Sequence, residues 1–163
     1  MRGFQESREG LELSRRTKFR QGLSSLFLPY YNWLGAFLDE KWQPYMGYRS
    51  IEEQDALYAQ GRETPGDIVT HAKGAQSAHC YGCAVDWTLF VNESPVWMLD
   101  SNPRWKEFDA LVDKAGLRSG FLYADPGHVE LKLSVSYHQD IAMVYMGKGI
   151  DAAMARIAET MIK

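Results

Sequence analysis

Two short segments hold residue types that could do chemistry together. Ser77-Ala78-His79-Cys80-Tyr81-Gly82-Cys83-Ala84-Val85-Asp86 places an imidazole and a carboxylate seven positions apart, and Asp125-Pro126-Gly127-His128 places the same pair at the two ends of a four-residue stretch. In a regular strand an odd separation sends side chains to opposite faces. A turn or bulge at Gly82 restores the parity and lets His79 and Asp86 converge. A Pro-Gly pair cannot continue a helix, so Asp125 and His128 flank a tight turn able to aim both into one cleft. Two histidines and one carboxylate make a catalytic zinc ligand set whose fourth position is open to water. Such a metal brings the pKa of water towards neutrality. Asp125 is then the base for water attacking a carbonyl, and Arg49 supplies fixed charge for the oxygen that turns negative.

Taken one at a time, these residues have ordinary readings. A lone His or Asp is a polar residue at a sheet edge, Arg49 a solvated charge and Gln54 an exposed helix position. Cys80-x-x-Cys83 suggests a redox or zinc half-site, but there is no second pair, and cysteine is commonly a small buried hydrophobe. His71 and His138 stand in no pattern.

The elements that must position these groups are legible in outline. From Gln21 to Trp42, Leu23, Phe27, Tyr30, Leu34, Phe37 and Leu38 recur at helical spacing. The basic run Arg15, Arg16, Lys18, Arg20 before them is how a signal peptide begins, but Tyr30, Tyr31 and Asn32 in the middle favour a core-facing helix. Ser50 and Glu53 form a capping box opening a helix over 51–60, and 62–76 reads as a long loop. A strand is expected over 84–91, a helix over 105–115 closed by Gly116, and a short strand over 117–123. Val129, Leu131 and Leu133 alternate with His128, Glu130 and Lys132 as in a half-buried strand. The tail over 140–163 reads as helix interrupted around Gly147 and Gly149. Together these predict an α+β fold, a small antiparallel sheet flanked by helices.

The 163 residues suit one domain, and 45% hydrophobic and 24% charged residues are globular values. A net charge of -3 offers phosphate backbones and anionic lipid no attraction, so nucleic acid is not an expected partner. Two cysteines three positions apart build no disulfide framework, which favours a reducing compartment. No apolar run reaches the length of an integral membrane span.

Ser77, His79, Gly82, Ala84 and Asp86 match the Ser-x-His-x-x-Gly-x-Ala-x-Asp signature of the zinc peptidases that include D-alanyl-D-alanine carboxypeptidases and bacteriophage L-alanyl-D-glutamate endopeptidases. Asp125-Pro126-Gly127-His128-Val129-Glu130-Leu131 resembles that family's second signature. Gly47-Tyr48-Arg49-Ser50, Gln54, Leu57-Tyr58 and Gly61-Arg62 resemble the segment leading into its cleft. The resemblance covers about residues 45–133 and implies a hedgehog/DD-peptidase-type zinc fold. It implies Zn2+ on His79, Asp86 and His128, Asp125 as general base, Arg49 facing the scissile carbonyl, and Ser77 and Gln54 positioning substrate. Many members carry Glu at the place of Asp125, and the aspartate form is most like the phage endolysin branch.

The expectation is therefore a single catalytic domain over 1–163, with an N-terminal arm and helix over 1–44 and a helical tail over 134–163. It would act as a monomer on the peptidoglycan stem peptide, made in the cytoplasm without a signal peptide and reaching the wall after release. The competing readings are a D-alanyl-D-alanine carboxypeptidase or dipeptidase of the same fold, a non-catalytic zinc-containing binding module, and a CxxC redox protein.

Overall fold

The computed structural model describes residues 15–97, 102–121 and 124–162. The first fourteen residues of the expected arm, the end of the expected 117–123 strand and Lys163 lie outside them. In chain order the elements are α1 (Leu28–Phe37), β1 (Trp42–Met46), α2 (Ile51–Ala59), β2 (Ala84–Val91), β3 (Ser94–Val96), α3 (Arg104–Lys114), β4 (Leu117–Ser119), β5 (His128–Leu131) and α4 (Ala142–Thr160). The strands form one antiparallel sheet in the order β1-β2-β5-β4, with β3 also paired to β2. This is the α+β class expected.

β2 is the axis of the molecule. Asp86 pairs with Met46 of β1 and also with His128 of β5, so those two strands flank β2 on opposite edges. Val85, Trp87 and Leu89 on β2 are buried, as their alternation predicts. Around them pack Phe27, Tyr31 and Leu34 near and on α1, Trp105, Phe108 and Val112 on α3, and Ala153 and Ile157 on α4. Trp42 stacks on Phe108 at 4.5 Å between ring centroids and meets Trp105 edge-on at 4.9 Å. Among the described residues no helix is long and apolar enough to cross a membrane.

The capping box opens α2: the Glu53 amide donates to Ser50 Oγ at 3.1 Å, and the Ser50 amide to Glu53 Oε2 at 2.7 Å. Gly116 closes α3 with φ +74°, and Gly149 breaks the regular φ/ψ of α4 with φ +79°. The expected helical segment over 21–42 is cut short. Its regular part is α1, and Trp42 begins an edge strand instead. Pro44 lacks an amide and β1 carries a register shift between Pro44 and Met46, both habits of edge strands that hide them from period-two reading. β4 and β5 end earlier than expected, at Ser119 and Leu131.

Gly82 takes φ +62° at the end of a 3-10 turn over Ala78–Tyr81. A Cβ there would fall inside contact distance of the Gly22 carbonyl oxygen, and the Gly82 carbonyl accepts from the Ser24 amide at 2.9 Å. Gly82→Ala should therefore cost at least about 2 kcal/mol, read as a Tm about 4–8 °C lower in thermal unfolding. An unchanged Tm would show that the turn is not strained.

Candidate metal centre and its cleft

The Gly82 turn and the β2–β5 register together assemble the centre. His79 sits in the 3-10 turn, not in a strand, and Gly82 swings the chain into β2 so that His79 and Asp86 face one point. Asp86 and His128 are direct cross-strand partners. The Asp125-Pro126-Gly127-His128 turn is closed by the His128 amide donating to the Asp125 carbonyl at 3.1 Å. His79 Nε2 lies 3.2 Å from Asp86 Oδ1, His128 Nδ1 2.9 Å from the same oxygen, and the two ring nitrogens 3.3 Å apart.

These separations suit a metal. Donors at the corners of a tetrahedron with bonds of about 2.0–2.1 Å lie roughly 3.3 Å apart. The outer nitrogens confirm the aim of the inner ones. His79 Nδ1 is 2.8 Å from the Gly47 carbonyl, which can only accept, so that nitrogen carries a proton and, with a metal bound, Nε2 would present its lone pair inward. His128 Nε2 is 3.1 Å from Glu130 Oε2, and Arg118 pairs with the other Glu130 oxygen at 3.2 Å. A metal-binding histidine held by a carbonyl or carboxylate on its far nitrogen is the usual arrangement.

The electrostatics require a positive charge at the same point. Burial would raise Asp86, but His79 beside it and the hydrogen bonds from both imidazoles drive it well below the ordinary carboxylate range. Burial opposes charge on His128, yet its hydrogen bonds to Asp86 and Glu130, with their negative charge, lift it to about 10. A proton or a metal ion answers that demand.

The triad lies in a cleft of about 650 Å³ that Arg49, Gln54, Ser77 and Asp125 also line. Arg49 Nη2 is 3.8 Å from Asp86 Oδ2, and its buried Nε has no acceptor among the described residues. Asp125 stands exposed on the cleft wall. Desolvation by its surroundings and the charge of Asp86 raise its pKa above the ordinary value. Gln54 is not an exposed helix position but 1% exposed; its Nε2 donates to Thr70 Oγ1 at 3.2 Å and the Ala72 carbonyl at 2.8 Å. Gln54 thus pins the 62–76 loop, with help from Asp55 Oδ1 accepting from the Gly74 amide at 2.8 Å. His71 and His138, in no sequence pattern, both reach the cleft wall.

Cys80 and Cys83 are free and buried, and burial pushes both thiols up to about 11. Thiols held protonated make poor nucleophiles and ligands, so the small-hydrophobe reading fits them and the redox reading does not.

Glu130, Arg118 and the Gly47 carbonyl are the parts sequence reading missed. A signal existed for Glu130, since two positions after His128 on a strand lies the same face. Glu130→Gln should weaken metal binding about 10–100-fold, measured by competition with a chromophoric chelator. Unchanged affinity would remove Glu130 from the support of His128.

No family model matches the chain. The peptidoglycan L-alanyl-D-glutamate endopeptidase CwlK of Bacillus subtilis (strain 168) is 47% identical to it over 55 residues. That stretch is 33% of this chain and 33% of CwlK, so the chain matches this relative over about a third of its length. Over that third the chain is similar to a peptidoglycan L-alanyl-D-glutamate endopeptidase, and its His79, Asp86 and His128 form a group able to hold a metal ion.

Proposed function

We propose that this protein is a zinc peptidase of the phage endolysin type that cuts the L-alanyl-D-glutamate bond of the peptidoglycan stem peptide. The observation carrying this reading is the convergence of three metal-ligand atoms at tetrahedral spacing, each imidazole anchored from behind, inside a cleft. His79, Asp86 and His128 would hold the ion, and zinc bound there would supply a Lewis acid that polarises a carbonyl and acidifies water.

The chain's own groups do the rest. Asp125, ionised, takes a proton from the attacking water and delivers it to the leaving amine. Arg49 is held against Asp86 and offers its remaining N–H groups to the developing oxyanion. Ser77 lies in the wall beside His79, where its hydroxyl orients the substrate backbone, and Gln54 serves the substrate by fixing the 62–76 wall. The motif core is about 45–133 within a single catalytic domain over 1–163, a reading supported by the one sheet and the one hydrophobic core of the described residues.

Digestion of purified peptidoglycan followed by mass analysis of the fragments tests the reading. A new D-glutamate amino terminus, abolished by chelation and restored by zinc, is the expected result. Free D-alanine would move the cut to the far end of the stem, and no release with zinc bound would leave a binding module.

A further inference from the structure

Two large aromatic side chains stand half-exposed in the wall of the same cleft, Tyr45 and Trp97, each 41% exposed. Neither is placed there by chance of the fold. Tyr45 is the residue left without a partner where the β1–β2 register shifts between Pro44↔Trp87 and Met46↔Asp86. A bulge of this kind re-aims a side chain beside an active site, and the next residue, Met46, already pairs with the ligand Asp86.

Trp97 is set from three sides. Its ring stacks at 21° and 6.4 Å on Trp105, which is 1% exposed and part of the core. It meets Tyr45 edge-to-face at 5.2 Å and 87°. It also closes on Gly127, where a Cβ would stand 3.1 Å from Trp97 Cζ3. Gly127 lies between Asp125 and His128, so the indole adjoins the turn that carries the base and one ligand. Rings braced in this way lose little freedom on meeting a partner.

We propose that Tyr45 and Trp97 form an aromatic platform for the amino-sugar ring from which the stem peptide hangs, one ring stacking on its C–H face and the other, set at 87°, closing on its edge. The inference rests on the function proposed above and adds a sugar subsite to it. In peptidoglycan the L-alanine is joined directly to the lactyl group of N-acetylmuramic acid. One residue spans at most about 3.6 Å, so a cut after L-alanine brings the sugar within roughly two residue lengths of the reacting carbonyl, about 7 Å. The sugar must therefore enter the cleft or lie on its rim. A pyranose offers a flat face of C–H groups that matches an aromatic ring, whereas the methyl of L-alanine is too small to cover two rings and the D-glutamate carboxylate needs a cation.

The test compares two substrates, an N-acetylmuramyl stem peptide and the same peptide without its sugar. In the parent and in Tyr45→Ala, Trp97→Ala and Trp97→Phe, the quantity read is the ratio of kcat/KM with sugar to that without. The ratio should fall about tenfold in each alanine variant, equivalent to about 1.4 kcal/mol, and recover in Trp97→Phe. A ratio that stays at the parent's value while both rates drop would overturn the platform and leave the rings a packing role. If the parent cuts neither substrate, the proposed function fails, and the platform is judged by binding alone. N-acetylmuramyl-L-alanine added to the 15N-labelled protein should then shift the Trp97 indole resonance, assigned by its loss in Trp97→Phe. No shift would overturn the proposal in that case too.

Discussion

Asp125→Ala should abolish peptidoglycan hydrolysis, lowering kcat by about 10²–10⁴-fold, while the zinc content of the purified protein matches the parent's. The separation of the two readouts follows from placement. Asp125 lies in the cleft wall, near enough for its titration to sense Asp86, His128, His79 and Arg49, yet outside the three converging donor atoms. Its removal would delete the proposed proton acceptor and leave the candidate metal ligands in place. In the metal-free protein, desolvation by its surroundings and the charge of Asp86 raise its pKa, so Asp125 should titrate there above the ordinary aspartate value of about 3.9, read from its side-chain carboxyl resonance. In the metal-loaded enzyme, activity is lost as pH drops through the carboxyl's pKa, since only the ionised carboxylate accepts a proton. A variant as active as the parent would remove Asp125 from the mechanism.

His128→Ala should cost metal rather than chemistry alone. Replacing a group that merely supports a ligand weakens binding about 10–100-fold, so loss of the ligand itself should exceed about 100-fold, measured by chelator competition and by metal content after dialysis. It also leaves Asp86 and Glu130 facing one another without the imidazole that bridges them at 2.9 and 3.1 Å. In the parent, the proton held on His128 up to about pH 10 must leave when metal binds its Nδ1. Apparent affinity should therefore rise with pH, by up to tenfold per unit for one displaced proton. Unchanged zinc stoichiometry in the variant would take His128 out of the ligand set.

Both effects trace to features with different legibility. The turns around the site could be read from residues a few positions apart. Gly82 with its left-handed backbone, the Pro126-Gly127 turn, and the Ser50–Glu53 capping box are all short-range steric and hydrogen-bonding facts, and each stands in the structure as expected. The β5 alternation was equally plain, since Val129 and Leu131 are buried and His128 and Glu130 share the other face. β1 was not, because Pro44 and the register shift remove the alternation that marks a strand. Gln54 read as a surface residue because nothing local reveals that a loop sixteen positions later folds back over it.

The amino-acid sequence by itself therefore pointed to the candidate ligands and base, and determined the turns that free them from strand parity and the α+β class. These depend on local sterics and on periodic burial, which act within a few residues. Only the tertiary structure decided that Asp86 lies opposite His128, 42 positions away, that Gly47 and Glu130 hold the two imidazoles from behind, and that Tyr45 meets Trp97 at the cleft wall. Cross-strand register is set by how the whole sheet packs its buried face around Trp87, and no short window of sequence contains that information.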